Sequence, residues 1–160
     1  MKRALAVLIT SMLLAAVVFA EDEPSRTFRQ TVWGMGIEEV KSVEESELAS
    51  ETDDSLLYKA KVVGLAADLV YSFTDGKLNA ASYNIFLEPA DCITTYYFLR
   101  ELLSMKYGKP GIDAGWDDIL ISAWETQATR TVLLYGGKQA GLLRLAYAAK
   151  QAAAAFSSEL

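Results

Sequence analysis

The dipeptide Asp75-Gly76 constrains this chain more than any other feature, because it sits between two segments that alternate apolar and polar residues. Both central residues of a tight two-residue hairpin need positive φ, which Gly adopts freely and Asp tolerates. A reversal there sets Phe73 opposite Leu78, Tyr71 opposite Ala80 and Leu69 opposite Ser82, giving one apolar face. The next apolar residues, Tyr83, Ile85 and Leu87, have the opposite parity to Leu78 and Ala80, which predicts a β-bulge near Ala81.

Further elements follow on both sides of the hairpin. Residues 28–33 alternate and are expected to form a strand, after which Gly34 reverses the chain. With Gly36 as N-cap, Glu39 takes the third helical position, Met35 and Val40 flank the helix start as a hydrophobic staple, and Glu38 and Glu39 meet the helix dipole. The helix is short: Ile37, Val40 and Val43 form its stripe, which fades into Glu44-Glu45-Ser46-Glu47 and a polar stretch to Ser55. Leu56, Tyr58, Ala60 and Val62 then alternate with Leu57, Lys59 and Lys61 as a half-buried strand that stops at Gly64.

Pro89 opens a longer helix that runs to Tyr107, with Cys92, Tyr96, Leu99 and Leu103 at helical spacing and Ile93, Leu102 and Tyr107 widening the stripe. Gly108 and Pro110 stop it. After a turn-rich 111–115, strands are expected over 116–126, 129–135 and 141–149, joined at Gln127-Ala128 and Gly136-Gly137-Lys138-Gln139. Short hairpins demand antiparallel pairing and the helical stripes demand a face to cover. The predicted fold is an α+β two-layer sandwich, two helices packed on one face of a mainly antiparallel sheet. The two halves read as one helix-plus-strands unit used twice, although no residue-level repeat is visible.

The N-terminus predicts the destination. Lys2-Arg3, an apolar run from Ala4 to Phe19 and the small residues Val18 and Ala20 form a secretory signal peptide over 1–20, cut after Ala20. Residues 21–26 are expected to be a disordered lead-in, 27–149 a single domain and 150–160 a frayed helical tail. No cysteine follows the apolar run, so lipidation is not expected, and the product is placed in the periplasm or the medium. Loss of Lys2 and Arg3 leaves 13 basic against 21 acidic residues, a formal charge of −8. With basic residues scattered, neither nucleic-acid binding nor membrane insertion after cleavage is expected.

Histidine is absent, which removes the usual general base and the commonest zinc ligand. The single Cys92 lies on an apolar helix face and reads as a small buried hydrophobe. Asp53-Asp54 and Asp117-Asp118 are the visible acid pairs, but strand neighbours point to opposite faces and so do not converge. Gly136-Gly137-Lys138 lacks the spacing of a phosphate-binding loop. No metal or cofactor is expected, and binding is favoured over catalysis. The expected function is therefore a non-catalytic protein-binding module, with Tyr97 and Trp33 as candidate contacts. The alternatives are a small-molecule or carbohydrate binder with a cleft lined by Trp33, Trp116 or Trp124, and a carboxylate hydrolase.

The stretches FRQTVWGMGIEEVKSVE, LVYSFTDGKLNAASYNI, YYFLRELLSMKYGKP and WETQATRTVLLY resemble small exported bacterial domains of unassigned function. These carry a Trp-Gly-Met motif at a helix start and a Lys-Tyr-Gly-Lys-Pro helix end. Their layout is similar to units of β-lactamase-inhibitor proteins and of the small lipoproteins that assist outer-membrane protein assembly. The matching positions are Trp33, Gly34, Met35, Val40, Tyr107, Gly108 and Pro110, and the resemblance runs from Phe28 to about Tyr147. Gly36 departs from it, standing where such motifs often have Ser or Thr, and the lipidation cysteine is missing. The resemblance implies an envelope protein that binds another protein.

Overall fold

The alternating segments pair as one continuous antiparallel sheet in a computed structural model that describes residues 27–136 and 141–150. The expected signal peptide, lead-in, residues 151–160 of the tail and the connection through Gly137-Lys138-Gln139 lie outside the described residues. In chain order the elements are α1 (Ile37–Val43), β1 (Glu47–Glu51), β2 (Ser55–Val62), β3 (Leu65–Thr74), β4 (Lys77–Phe86), α2 (Pro89–Tyr107), β5 (Ile112–Trp116), β6 (Ile119–Glu125), β7 (Thr129–Gly136) and β8 (Leu142–Ala149). The sheet order is β1-β2-β3-β4-β8-β7-β6-β5. Each half is a helix followed by a four-stranded meander, and the halves meet where β4 pairs with β8. The fold is the α+β sandwich that the sequence predicts.

At Asp75-Gly76 both φ values are positive, 51° and 70°, and Thr74 pairs with Lys77 across the two-residue turn. Phe73 faces Leu78 as expected. The bulge comes slightly earlier than Ala81: Ser72 already faces Ala80, so Asn79 is the extra residue, and Ala81, Tyr83 and Ile85 turn to the side of Leu78. A slip of one residue changes face, which is how the parity conflict resolves.

The core is legible in one row of side chains across the sheet: Tyr58, Leu69, Tyr83, Leu145, Leu133 and Ser122 lie in register and all are buried. Helix α2 lies over β6, β7 and β8 through Cys92, Tyr96, Leu99 and Leu103. Helix α1 begins at Gly36 as predicted. The Glu39 carboxylate accepts from the Gly36 N–H at 2.6 Å, and buried Val40 anchors the helix to the core. In both halves a helical cation reaches the outermost strand. Lys41 of α1 pairs with Glu51 of β1 at 2.9 Å, and Arg100 of α2 makes a two-nitrogen contact with Asp113 of β5.

Three expectations are corrected. Residues 28–33 form no strand; Arg29 has φ of 51° and Thr31 N–H donates back to Phe28 O at 2.8 Å, making a tight turn. The polar stretch before Ser55 contains β1, whose five residues are all exposed and carry no burial period. The stretch 111–115, expected to be turn, belongs to strand β5, and the expected strand over 116–126 begins only at Ile119 as β6, the two reversing at Asp117-Asp118 with φ of 52° at Asp117. Both acid pairs therefore belong to hairpin turns, not strands; Asp54 Oδ1 accepts from Thr52 Oγ at 2.8 Å.

Candidate docking surface

On the sheet's outer face, the side away from the helices, β5, β6 and β7 carry an apolar cluster, whereas β2, β3 and β4 mix a charged row with the apolar Leu57, Val70 and Phe86, the last 63% exposed. Ile112, Ala114 and Trp116 of β5 face Ala123, Ile121 and Ile119 of β6 in register, and Ala123 and Ile121 face Val132 and Leu134 of β7. Ile112, Trp116 and Ile119 are 54, 60 and 45% exposed, which for large apolar side chains on a sheet demands a cause. Beyond β7 the character changes: Arg144 of β8, Asn84 of β4, Asp68 of β3 and Lys59 of β2 form one row, with Lys59 Nζ 2.7 Å from Asp68 Oδ1.

The two edges of the sheet differ in the same sense. Strand β1 carries Glu47 and Glu51 and an irregularity between Leu48 and Ser50, features that discourage pairing with another chain. Strand β5 has a single charge, Asp113, and that side chain turns to the helix side. There it takes Arg100 and a hydrogen bond from Ser122 Oγ at 2.8 Å. The Arg100 hydrogen bonds lead in holding the Asp113 carboxyl below the usual carboxylate range, with Ser122 contributing. A Cβ at Gly115 would stand 2.8 Å from Leu120 Cδ2, so a side chain there would displace the end of Leu120.

The candidates named from sequence lie elsewhere. Tyr97 is 51% exposed on the outer side of α2, edge-on to Tyr96 at 5.5 Å, in an exposed stripe with Ile93, Phe98 and Met105 that Glu101 interrupts. Trp33 is half-buried, stacked on Phe28 at 6.4 Å, and its indole N–H donates to Thr129 Oγ at 2.9 Å. The structure does not bring Tyr97 and Trp33 together with the β5–β7 patch. Trp116 lies in the patch, whereas Trp124 is 2% exposed and donates its N–H to Gly108 O. An open depression of about 610 Å³ passes Trp124, Lys109, Ile112 and Arg130 at the rim of the sheet, with Trp124 as part of its wall and not a free stacking platform. Cys92 is fully buried, and burial, with Asp91 nearby, pushes its thiol pKa up, which is the opposite of an activated nucleophile.

No local pattern in the chain points to the ionic network built on Glu44, whose side chain is buried. Arg29 Nε and Nη2 each donate to a Glu44 carboxylate oxygen at 2.9 Å, and Nη1 donates to Tyr83 Oη at 3.1 Å. Tyr71 Oη donates to Glu44 at 2.6 Å and Ser46 N–H at 2.9 Å. Burial alone would raise the Glu44 pKa, but the hydrogen bonds from Tyr71 and Ser46 and the Arg29 charge outweigh it and hold the carboxyl below its ordinary range. Every oxygen of Glu44 is used in tying α1 to β3 and to the Arg29 turn, which is a structural role. Among the described residues no group of three acidic, Cys or His side chains is placed to hold a metal ion, and no helix is long and apolar enough to cross a membrane.

Comparisons of the chain with models of protein families, with curated proteins and with solved structures gave no match in any of the three.

Proposed function

We propose that this chain is an exported, non-catalytic α+β module that binds a protein of the cell envelope through the apolar outer face of β5, β6 and β7. The observation that carries the reading is the cluster on that face: Ile112, Trp116 and Ile119 are exposed side by side on β5 and β6, while on the β2–β4 half the exposed Phe86 is set among Lys59, Asp68 and Asn84. Water-exposed Ile and Trp in a contiguous patch gain free energy when a partner covers them, at about 25 cal/mol per Å² of apolar surface removed from water. Aromatic anchors such as Trp116 are the residues that most often dominate such contacts. The signal-peptide pattern and the resemblance to exported domains support the envelope as the compartment.

The test is capture from envelope extract with the exported chain as bait, comparing the parent with Ile121→Lys and Leu134→Lys on the patch and Asn84→Lys on the β2–β4 half. A partner retained by the parent and by Asn84→Lys, and lost with both patch variants, is expected. Retention by all four chains would remove the patch from consideration, and loss with Tyr97→Ala instead would move the site to α2.

A further inference from the structure

We propose that the free edge of β5 pairs with β5 of a second copy of this chain, antiparallel about a two-fold axis through Ala114, giving one continuous sheet across two molecules. Strand β5 ends the sheet, and among the described residues nothing pairs with its outer side. All five of its residues are exposed. The opposite edge, topologically equivalent in the other half, is guarded by the outward Glu47 and a bulge, which β5 lacks, while each edge strand has one acid turned to a helical cation, Glu51 to Lys41 and Asp113 to Arg100.

The sequence Ile112-Asp113-Ala114-Gly115-Trp116 suits itself as a partner. Antiparallel pairing about Ala114 sets Ile112 opposite Trp116 of the second copy, and Trp116 opposite its Ile112, both on the outer face. Aromatic with β-branched is a favourable cross-strand combination. On the helix side Asp113 falls opposite a glycine, so no like charges face each other and there is room for its Arg100 contact. A closed two-fold contact of this kind uses the same patch on both copies and does not propagate into a filament. The formal charge of −8 on the exported chain opposes association only weakly at physiological salt, where the screening length is about 8 Å. Edge pairing leaves the outer face uncovered and joins the two apolar patches across the seam. The inference stands on the edge alone and does not require the docking reading.

The test is sedimentation equilibrium of the full exported chain between about 1 and 100 µM, the range in which a small interface dissociates. A concentration-dependent dimer is expected. Ala114→Lys and Ala114→Glu each put like charges face to face at the axis and are expected to raise the dissociation constant at least tenfold, roughly the effect of one unfavourable charge contact. An equimolar mixture of the two is expected to restore dimers, which a folding defect would not do. In a second measurement, Ala114→Cys is expected to oxidise to a disulfide-linked dimer, because directly opposed residues on antiparallel strands lie about 4.5–5.5 Å apart at Cα. A monomer throughout the range, a dimer indifferent to both charged variants, or a mixture that remains monomeric would overturn the proposal.

Discussion

Replacing Glu44 with Ala is expected to be the most damaging single surface-adjacent substitution. The Glu44 side chain is 1% exposed and that of Arg29 29% exposed, while Tyr71 is fully buried. Truncation leaves the Tyr71 hydroxyl buried without its acceptor, at about 1–3 kcal/mol. It also strands the Arg29 charge, which water reaches in part, so that the total is set at about 3–4 kcal/mol, near the low end for a broken buried ion pair. At this domain size 1 kcal/mol moves Tm by roughly 3–5 °C, so a fall of about 9–20 °C is expected. Glu44→Gln keeps an acceptor oxygen for Tyr71 but loses the charge and sets an amide NH2 against the Ser46 N–H and Arg29 Nη2 donors, and about 2–3 kcal/mol is expected. The assay is urea unfolding followed by tryptophan fluorescence, repeated as a function of pH. Because the folded-state pKa of Glu44 is depressed, its contribution is fully present above the ordinary carboxylate value of about 4.3 and disappears as pH falls through the folded value. The parent should therefore lose stability on acidification more steeply than Glu44→Gln. An Ala variant within about 1 kcal/mol of the parent would show that the network behaves as an exposed ion pair and would refute the reasoning.

Other substitutions test separate links. Gly76→Ala forces a Cβ into the left-handed region at φ of 70° and should cost about 1–2 kcal/mol in denaturant unfolding. Leu99→Ala, beneath α2 at 2% exposure, should cost about 2–5 kcal/mol by the same assay. Trp33→Phe keeps the stack on Phe28 and loses the hydrogen bond to Thr129, for about 1 kcal/mol in thermal unfolding. Tyr97→Ala should change stability by no more than about 1 kcal/mol, since half of the ring is already in water and its main contact is the edge-on pair with Tyr96.

Elements with a buried face could be read from the chain because burial imposes a period. Strands β2, β3 and β4 alternate, α2 repeats Cys92, Tyr96, Leu99 and Leu103, and Gly108 and Pro110 mark its end. Strand β1 buries nothing and its residues carry no period, while Gly111 and Gly115 disguise β5 as a turn although Ile112, Ala114 and Trp116 alternate along it. The turn at Arg29 is held by contacts to Glu44 and Tyr83, 15 and 54 residues away, which no local pattern encodes. For the same reason the docking surface was only partly visible. Trp116 stands out in the chain as an aromatic, but its company of Ile112, Ile119, Ile121 and Leu134 depends on β5 and β6 being separate strands. Once the hairpin at Asp117-Asp118 is known, the alternation of apolar residues toward one side of β5 and β6 becomes readable.

The docking reading is tested most directly in the living envelope, with a photoreactive amino acid at Leu134 in the apolar cluster of the outer face and, in a separate chain, at Asn84 on the β2–β4 half. The expected result is a discrete protein adduct from Leu134 and none from Asn84. Equal labelling at the two positions, or no adduct from Leu134 while the chain is folded and exported, would contradict it.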